Sequence, residues 1–138
     1  MAYDDVVRVL DEEQIVAIVT TRQNGEPVAT AIWSMVIDGV PYVRSAYGTT
    51  SWWYKHVVAG RPVWFALGDG SIAERDRAAA LELPREEVRL TRVPVSEPIH
   101  TAIDAEIERK YAGAMRSSID ATISDAAVGC TFRVDPAS

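Results

Sequence analysis

The chain has 138 residues, 48% apolar and 25% charged, the size and balance of one folded domain built on one core, residues 1–138. A formal charge of −6 weighs against general nucleic-acid binding, which draws its affinity from neutralised phosphates, and a single cysteine, Cys130, rules out an internal disulfide. No apolar run is longer than Ile15 to Val19, too short to span a bilayer, and the acidic start MAYDDVVRV lacks a signal peptide's basic region; a cytoplasmic protein with no membrane contact is expected.

Tyr3 to Glu13 predicts an amphipathic helix with Val6, Val7 and Leu10 on one face and Asp4, Asp5, Asp11, Glu12 and Glu13 as a solvated surface. Gln14 to Thr21, largely β-branched and apolar, predicts a buried strand, and Asn24-Gly25 supplies the two-residue signal of a type I′ hairpin. Pro27 to Ile37 alternates as a half-buried strand, and Asp38-Gly39 turns it into a third, Val40 to Ala46. Strands joined this tightly make an antiparallel meander, which excludes a doubly wound parallel sheet. A polar turn, Tyr47 to Thr50, leads into a helix, Ser51 to Ala59. Trp53, Tyr54, Val57 and Val58 form its packing stripe, with Trp52, Lys55, His56 and Ala59 opposite. Gly60 ends this helix, and Val63 to Leu67 is a fourth strand.

Ser71 to Leu83 fits either a short helix inserted between strands or a strand followed by one. Val88 to Val95 is a fifth strand. Ser96 is the expected cap of a helix carrying Ile99, Ile103, Ile107 and Tyr111 on one stripe and ending at Gly113. A looser helix, Met115 to Ala127, precedes a sixth strand, Gly129 to Val134. The fold class is therefore mainly β (α+β): a six-stranded antiparallel barrel with peripheral helices. Such a barrel is too narrow to hold a ligand inside, so a ligand belongs on its outer wall, where a second subunit is the simplest cover.

The chemistry concentrates between Val40 and Ala59. The four tryptophans, Trp33, Trp52, Trp53 and Trp64, lie inside this stretch or close to its ends, and so does Lys55, one of only two lysines among 14 basic residues. A strand that opens through hydroxyl residues onto a helix start offers unpaired N–H groups and a positive dipole end to an anion. Thr49, Thr50 and Ser51 add hydroxyls there, and Lys55 lies one turn along the same face, so the segment is expected to bind the phosphate of a planar cofactor. Arg44 could reach the same phosphate or pair with a carboxylate from another element. Trp33 reads as core, and Trp52, off the packing stripe, as an interface residue. His56 and His100 lack metal-ligand spacing, so no metal site is expected; Cys130 has no nucleophile signature, and neither a GxSxG nor a Walker-type loop occurs.

The run PVATAIWSMVIDGVPYVRSAYGTTSWWYKHVVAGRPVWFAL resembles the flavin-binding split β-barrel superfamily, which includes pyridoxamine-phosphate-oxidase-like proteins and deazaflavin-dependent nitroreductase-like reductases. Ile32-Trp33, Tyr42-Val43-Arg44-Ser45 and Trp53-Tyr54 carry the likeness to one small branch, and IDAEIERKYAG and TFRVDP extend it over about residues 12 to 136. The oxidase-like members' Ser-Arg-Lys run at the helix start is replaced here by Thr50-Ser51-Trp52, with Lys55 as the available cation.

The resemblance implies a split barrel and a homodimer with the cofactor at the subunit interface. The phosphate would sit near Arg44, Ser45, Thr50, Ser51 and Lys55, and the ring against Ile32, Trp33 and Ser34. It implies an FMN-dependent oxidoreductase moving hydride to or from a small organic substrate, with the catalytic residues unassigned. The alternatives are a deazaflavin-dependent reductase, a non-catalytic protein binding flavin, haem or another small ligand, and a barrel with no cofactor.

Overall fold

A computed structural model describes residues 2–138. Helix α1 (Ala2–Glu12) is followed by strands β1 (Val16–Thr21), β2 (Pro27–Ile32), β3 (Met35–Ile37) and β4 (Val40–Arg44). A 3-10 turn (Gly48–Thr50) leads to α2 (Trp52–Val58) and β5 (Val63–Ala66). A second 3-10 turn (Gly70–Glu74), α3 (Arg77–Ala80) and β6 (Arg85–Arg92) come next, then α4 (Ile99–Lys110), α5 (Arg116–Thr122), α6 (Asp125–Val128) and β7 (Thr131–Pro136).

All the strands join one antiparallel sheet in the order β2-β1-β5-β6-β7-β4-β3. The first and last members of that order, β2 and β3, are separated in the chain by only Trp33 and Ser34. Ile32 and Met35 are three Cα steps apart, at most about 11 Å, so the sheet must curl until its edges come together. The antiparallel barrel expected is present as a half-barrel, with one change in its strands. The expected strand Pro27 to Ile37 is broken at that corner, which raises the count from six strands to seven. The pairing of the meander stands, but the two halves of its middle strand lie on opposite edges.

The corner has an identifiable cause. Ser34 is fully buried; its N–H donates to the Tyr111 hydroxyl at 3.0 Å and its Oγ–H to the Leu10 carbonyl at 2.7 Å. Lys110 Nζ donates to the Leu10 and Ser34 carbonyls at 2.9 and 3.0 Å, and Tyr111 donates to the Gln14 carbonyl at 2.7 Å. Backbone groups taken out of the ladder by the bend are thus satisfied by side chains from the end of α4.

Three apolar layers fix the rest. Val6, Leu10, Val16, Ile18, Val43, Phe65, Phe132 and Val134 fill the barrel, with Trp53 and Tyr54 from α2. Met35, Tyr42, Ile103, Ile107 and Tyr111 seat α4 on the outer wall. Ala17, Val19, Ala29 and Ala66 take the segment from Gly70 to Ala80 on a third face. Strand β1 is therefore buried on both faces, which explains its unbroken apolar run. The open segment Ser71 to Leu83 proves helical, with Asp69 and Asp76 capping its two short pieces by accepting from Ser71 N and Ala79 N. Ser96 does not cap α4: the residue before the helix is Pro98, and no side chain bonds the first turn. Among the described residues no helix is long and apolar enough to cross a membrane.

Candidate functional site

Two adjoining clefts open beside α2. The first, about 360 Å³, is walled by Thr30, Ala31, Ile32 and Trp33 of β2 and its corner, Arg44 of β4, Ala46, Tyr47, Ser51 and Trp52, with Ser118, Ala121 and Thr122 of α5 opposite. The second, about 430 Å³, is walled by Arg22, Gln23, Val28, Lys55, His56 and Arg61. Thr30, Trp52, Trp53 and Arg77 border both, so they form one groove with an aromatic half and a cationic half.

In the aromatic half, Trp33 stacks on Tyr111 with centroids 4.0 Å apart and planes 5° from parallel. Tyr111 is itself pinned to Ser34 and Gln14, and burial pushes its phenol up to about 12, so it stays a neutral hydrogen-bonding support. Burial also pulls Lys110 down to about 8, against the nearby carboxylates of Asp11 and Glu106. Trp33 is thus neither plain core nor free surface: one ring face is held and its indole borders the cleft. Trp52 and Tyr47 at the rim are 71% and 78% exposed, unusual for rings of that size.

Arg44 forms the floor. Its side chain is fully buried and pairs with Asp104 at 2.5 Å, a carboxylate 41% exposed. Other N–H groups of its guanidinium donate to Thr122 O, Thr131 Oγ1 and His100 Nδ1 at 3.0–3.2 Å, and His100 Nε2 donates to Pro94 O. Of the two fates open to Arg44, the structure gives pairing with a carboxylate. Burial lowers its proton affinity, and Asp104 opposes that shift.

Three hydroxyls of the strand-to-helix turn, those of Ser45, Thr50 and Ser51, bond within the turn. Ser45 Oγ lies 2.6 Å from the Gly48 carbonyl and 2.7 Å from Ser51 Oγ, and Thr50 Oγ1 donates to Tyr47 O. Of the residues expected from sequence, Ile32, Trp33, Arg44 and Ser51 border the aromatic cleft and Lys55 the cationic one. Ser34 and Ser45 are buried behind the wall, and Thr50 is exposed outside it.

In the cationic half, Lys55 Nζ lies 4.4 Å over the Trp52 ring. Arg61 donates to the Thr21 carbonyl. His56 is buried, against the expectation that it lies on the outer face of α2, and Val58 is exposed in its place. The cause is a partner: His56 Nδ1 meets Thr20 Oγ1 of β1 at 2.9 Å. Burial first, then Arg61 and Arg22, lowers its proton affinity. Arg22, Arg61 and Arg77 escaped the sequence reading. The register Thr20↔Val63 places the ends of β1 and β5 side by side, so correct pairing of those strands would have joined Arg22 to Arg61; Arg77 lay in the segment left open. Among the described residues no cluster of His, Cys, Asp or Glu suits a metal ion.

A curled antiparallel sheet closed at a two-residue corner, with helices outside and a ligand-sized groove on its wall, is a split β-barrel fold. The chain belongs to the family described as "Uncharacterized protein conserved in bacteria (DUF2255)", whose model matches residues 6–134. No curated protein matches it. Among solved structures it is similar to HutZ, the haem storage protein of Vibrio cholerae, at 10% identity, covering 99% of this chain and 91% of that one with a TM-score of 0.64. It is also similar to the conserved hypothetical protein Rv2991 of Mycobacterium tuberculosis at 16% identity (97% of this chain, 78% of that one, TM-score 0.57). A third likeness is to an F420 reductase at 16% identity (95% and 92%, TM-score 0.56).

Proposed function

We propose that this protein binds a planar, anionic redox cofactor of the flavin type, FMN or a deazaflavin, and serves as an oxidoreductase for a small organic substrate. The observation that carries the reading is the groove itself: an aromatic cleft continuous with one whose side chains include Arg22, Lys55, Arg61 and Arg77 and no carboxylate. A flat conjugated ring gains from stacking and apolar burial in the first half, and a phosphate from unpaired cations in the second.

The donor set suits such a ligand. Ile32 and Trp33 form the wall for the ring, with Tyr111 holding the indole plane fixed. Lys55, packed on Trp52 at the junction of the two halves, meets the phosphate. Ser51 borders the ring cleft, while Ser34, Ser45 and Thr50 shape the wall from behind and outside. Arg44, neutralised by Asp104, keeps the floor polar without a net charge. The bound cofactor would supply the hydride chemistry; the chain orients it and keeps one face from water. The exposed Trp52 and Tyr47 at the rim are where a second copy would complete the cover in a homodimer.

Titration with FMN, a deazaflavin and haemin, followed by tryptophan fluorescence and ligand absorbance, tests the assignment. Saturable binding of either flavin-type ligand, with bleaching on addition of a reduced nicotinamide or other hydride donor, is expected. Failure of both to bind would end the reading. The likeness to a haem storage protein, together with His56 on the cationic wall, favours one rival: a non-catalytic haem carrier, which a Soret shift on haemin addition without flavin binding would establish.

A further inference from the structure

The cationic half of the groove holds more charge than one phosphate ester uses. Arg22, Lys55, Arg61 and Arg77 reach it from four separate places: the end of β1, α2, the start of β5 and α3. None of the four makes an ion pair, among the described residues, in a chain whose formal charge is −6. Of the ten other basic residues five, Arg8, Arg44, Arg109, Arg116 and Arg133, each pair with a carboxylate. Gathering four unpaired cations costs mutual repulsion, and with 20 acidic residues available the fold leaves every one of them out of this wall. Repulsion of this kind is relieved by a ligand that brings several negative charges at once.

We infer that this cleft is a site for a polyanionic group, with diphosphate-like charge density, seated among Arg22, Lys55, Arg61 and Arg77. The volume of about 430 Å³ admits such a group with part of its hydration. Trp52 closes the side toward the aromatic half, and His56, held neutral by burial and by Arg61 and Arg22, presents a wall without further repulsion. Two sources share this chemistry: the charged tail of the cofactor, or a separate phosphorylated or multiply carboxylated substrate. Pyrophosphate carries no ring, so its binding does not depend on the flavin-type ligand proposed above; only the choice between tail and substrate rests on that reading.

The test is calorimetric titration of the full chain with sodium pyrophosphate at low and high salt, using wild type, the double variant Arg22→Ala/Arg77→Ala, and Arg89→Ala as a distant control. Both cleft arginines are exposed and make no side-chain hydrogen bond among the described residues, so the fold survives their loss, checked by an unchanged melting curve. Affinity in the double variant is expected to drop about tenfold or more, with a shallower salt dependence, while the control binds as wild type. Absence of pyrophosphate binding to the wild type at low salt, or equal binding by the double variant, overturns the inference. If pyrophosphate displaces FMN, the site takes the cofactor tail; if both bind together, it takes a separate anionic substrate.

Discussion

Arg44 shows how one side chain can belong to a site without contacting a ligand's charge. It borders the groove, yet its guanidinium is committed to Asp104, His100, Thr122 and Thr131, drawing β4, β7, α4 and α5 into one joint. Truncation to alanine strands the carboxylate and three acceptors, so Arg44→Ala should lose about 3 kcal/mol in urea unfolding, the low end for a buried pair because Asp104 is partly exposed. Asp104→Asn should cost less, since a neutral amide can still accept. Equal losses for the two would show that charge, not the joint, is what matters.

His56 makes a separate prediction, in pH. Its folded-state proton affinity lies below that of an unfolded histidine, owing to burial and then to Arg61 and Arg22. Wherever the unfolded chain binds the proton and the folded chain does not, stability falls as pH falls. That window opens near the ordinary histidine value of about 6.5 and extends downward. His56→Gln, able to keep the bond to Thr20, should flatten the profile between about pH 6.5 and 5; an unflattened profile would assign the loss to the carboxylates instead.

At the scale of elements, the tightest constraint is the seating of the Gly70 turn on β1. A Cβ built on Gly70 would lie 2.2 Å from Val16 C and 2.3 Å from Ala17 N, both backbone atoms in a strand buried on both faces. Neither can yield, and the Gly70 N–H also donates to the Ile15 carbonyl at 3.0 Å. Gly70→Ala should therefore exceed the ~1–3 kcal/mol of ordinary overpacking and leave little folded protein by circular dichroism. Gly68→Ala, whose added carbon meets only Leu83 side-chain atoms at 3.7 Å, should fold normally.

The same scale explains what could be read in advance. Asp38-Gly39 announced its hairpin because a type I′ turn needs positive φ at both residues, and they adopt 50° and 79°; at Asn24-Gly25 only Gly25 has positive φ, 89°, so β1 and β2 pair as expected but not through the type I′ turn expected. The helical stripe Ile99-Ile103-Ile107-Tyr111 likewise reports its own burial. The break at Trp33-Ser34 could not be read locally, because alternation continues across the bend and the groups that satisfy it come from Tyr111, 77 residues away. His56 was misplaced for a similar reason: helical periodicity assigns faces, whereas a hydrogen bond to Thr20 on another element decided its burial.

Over the whole molecule, the charge distribution matters more than its sum. A net charge of −6 should repel an anionic ligand, yet the groove collects Arg22, Lys55, Arg61 and Arg77 on one wall. Sequence order scatters these four, and only the curl of the sheet brings them together, so Lys55 was legible and its companions were not. Field lines focus in a concave cationic site, and screening within about 10 Å at 0.1 M salt shields an approaching anion from the distant acidic surface. FMN association, timed by quenching of Trp33, Trp52 and Trp53, should therefore slow as salt rises, the signature of attraction rather than of the overall negative charge. Lys55→Ala should reduce that slope and weaken binding by about 1.5–3 kcal/mol, the worth of one charge-assisted contact. The loss should fall toward the lower figure, because Lys55 stands over the Trp52 ring at an exposed position and three arginines remain to hold the anion. Association that quickens with salt, or an unchanged affinity in Lys55→Ala, would place the charged end of the ligand outside this cleft.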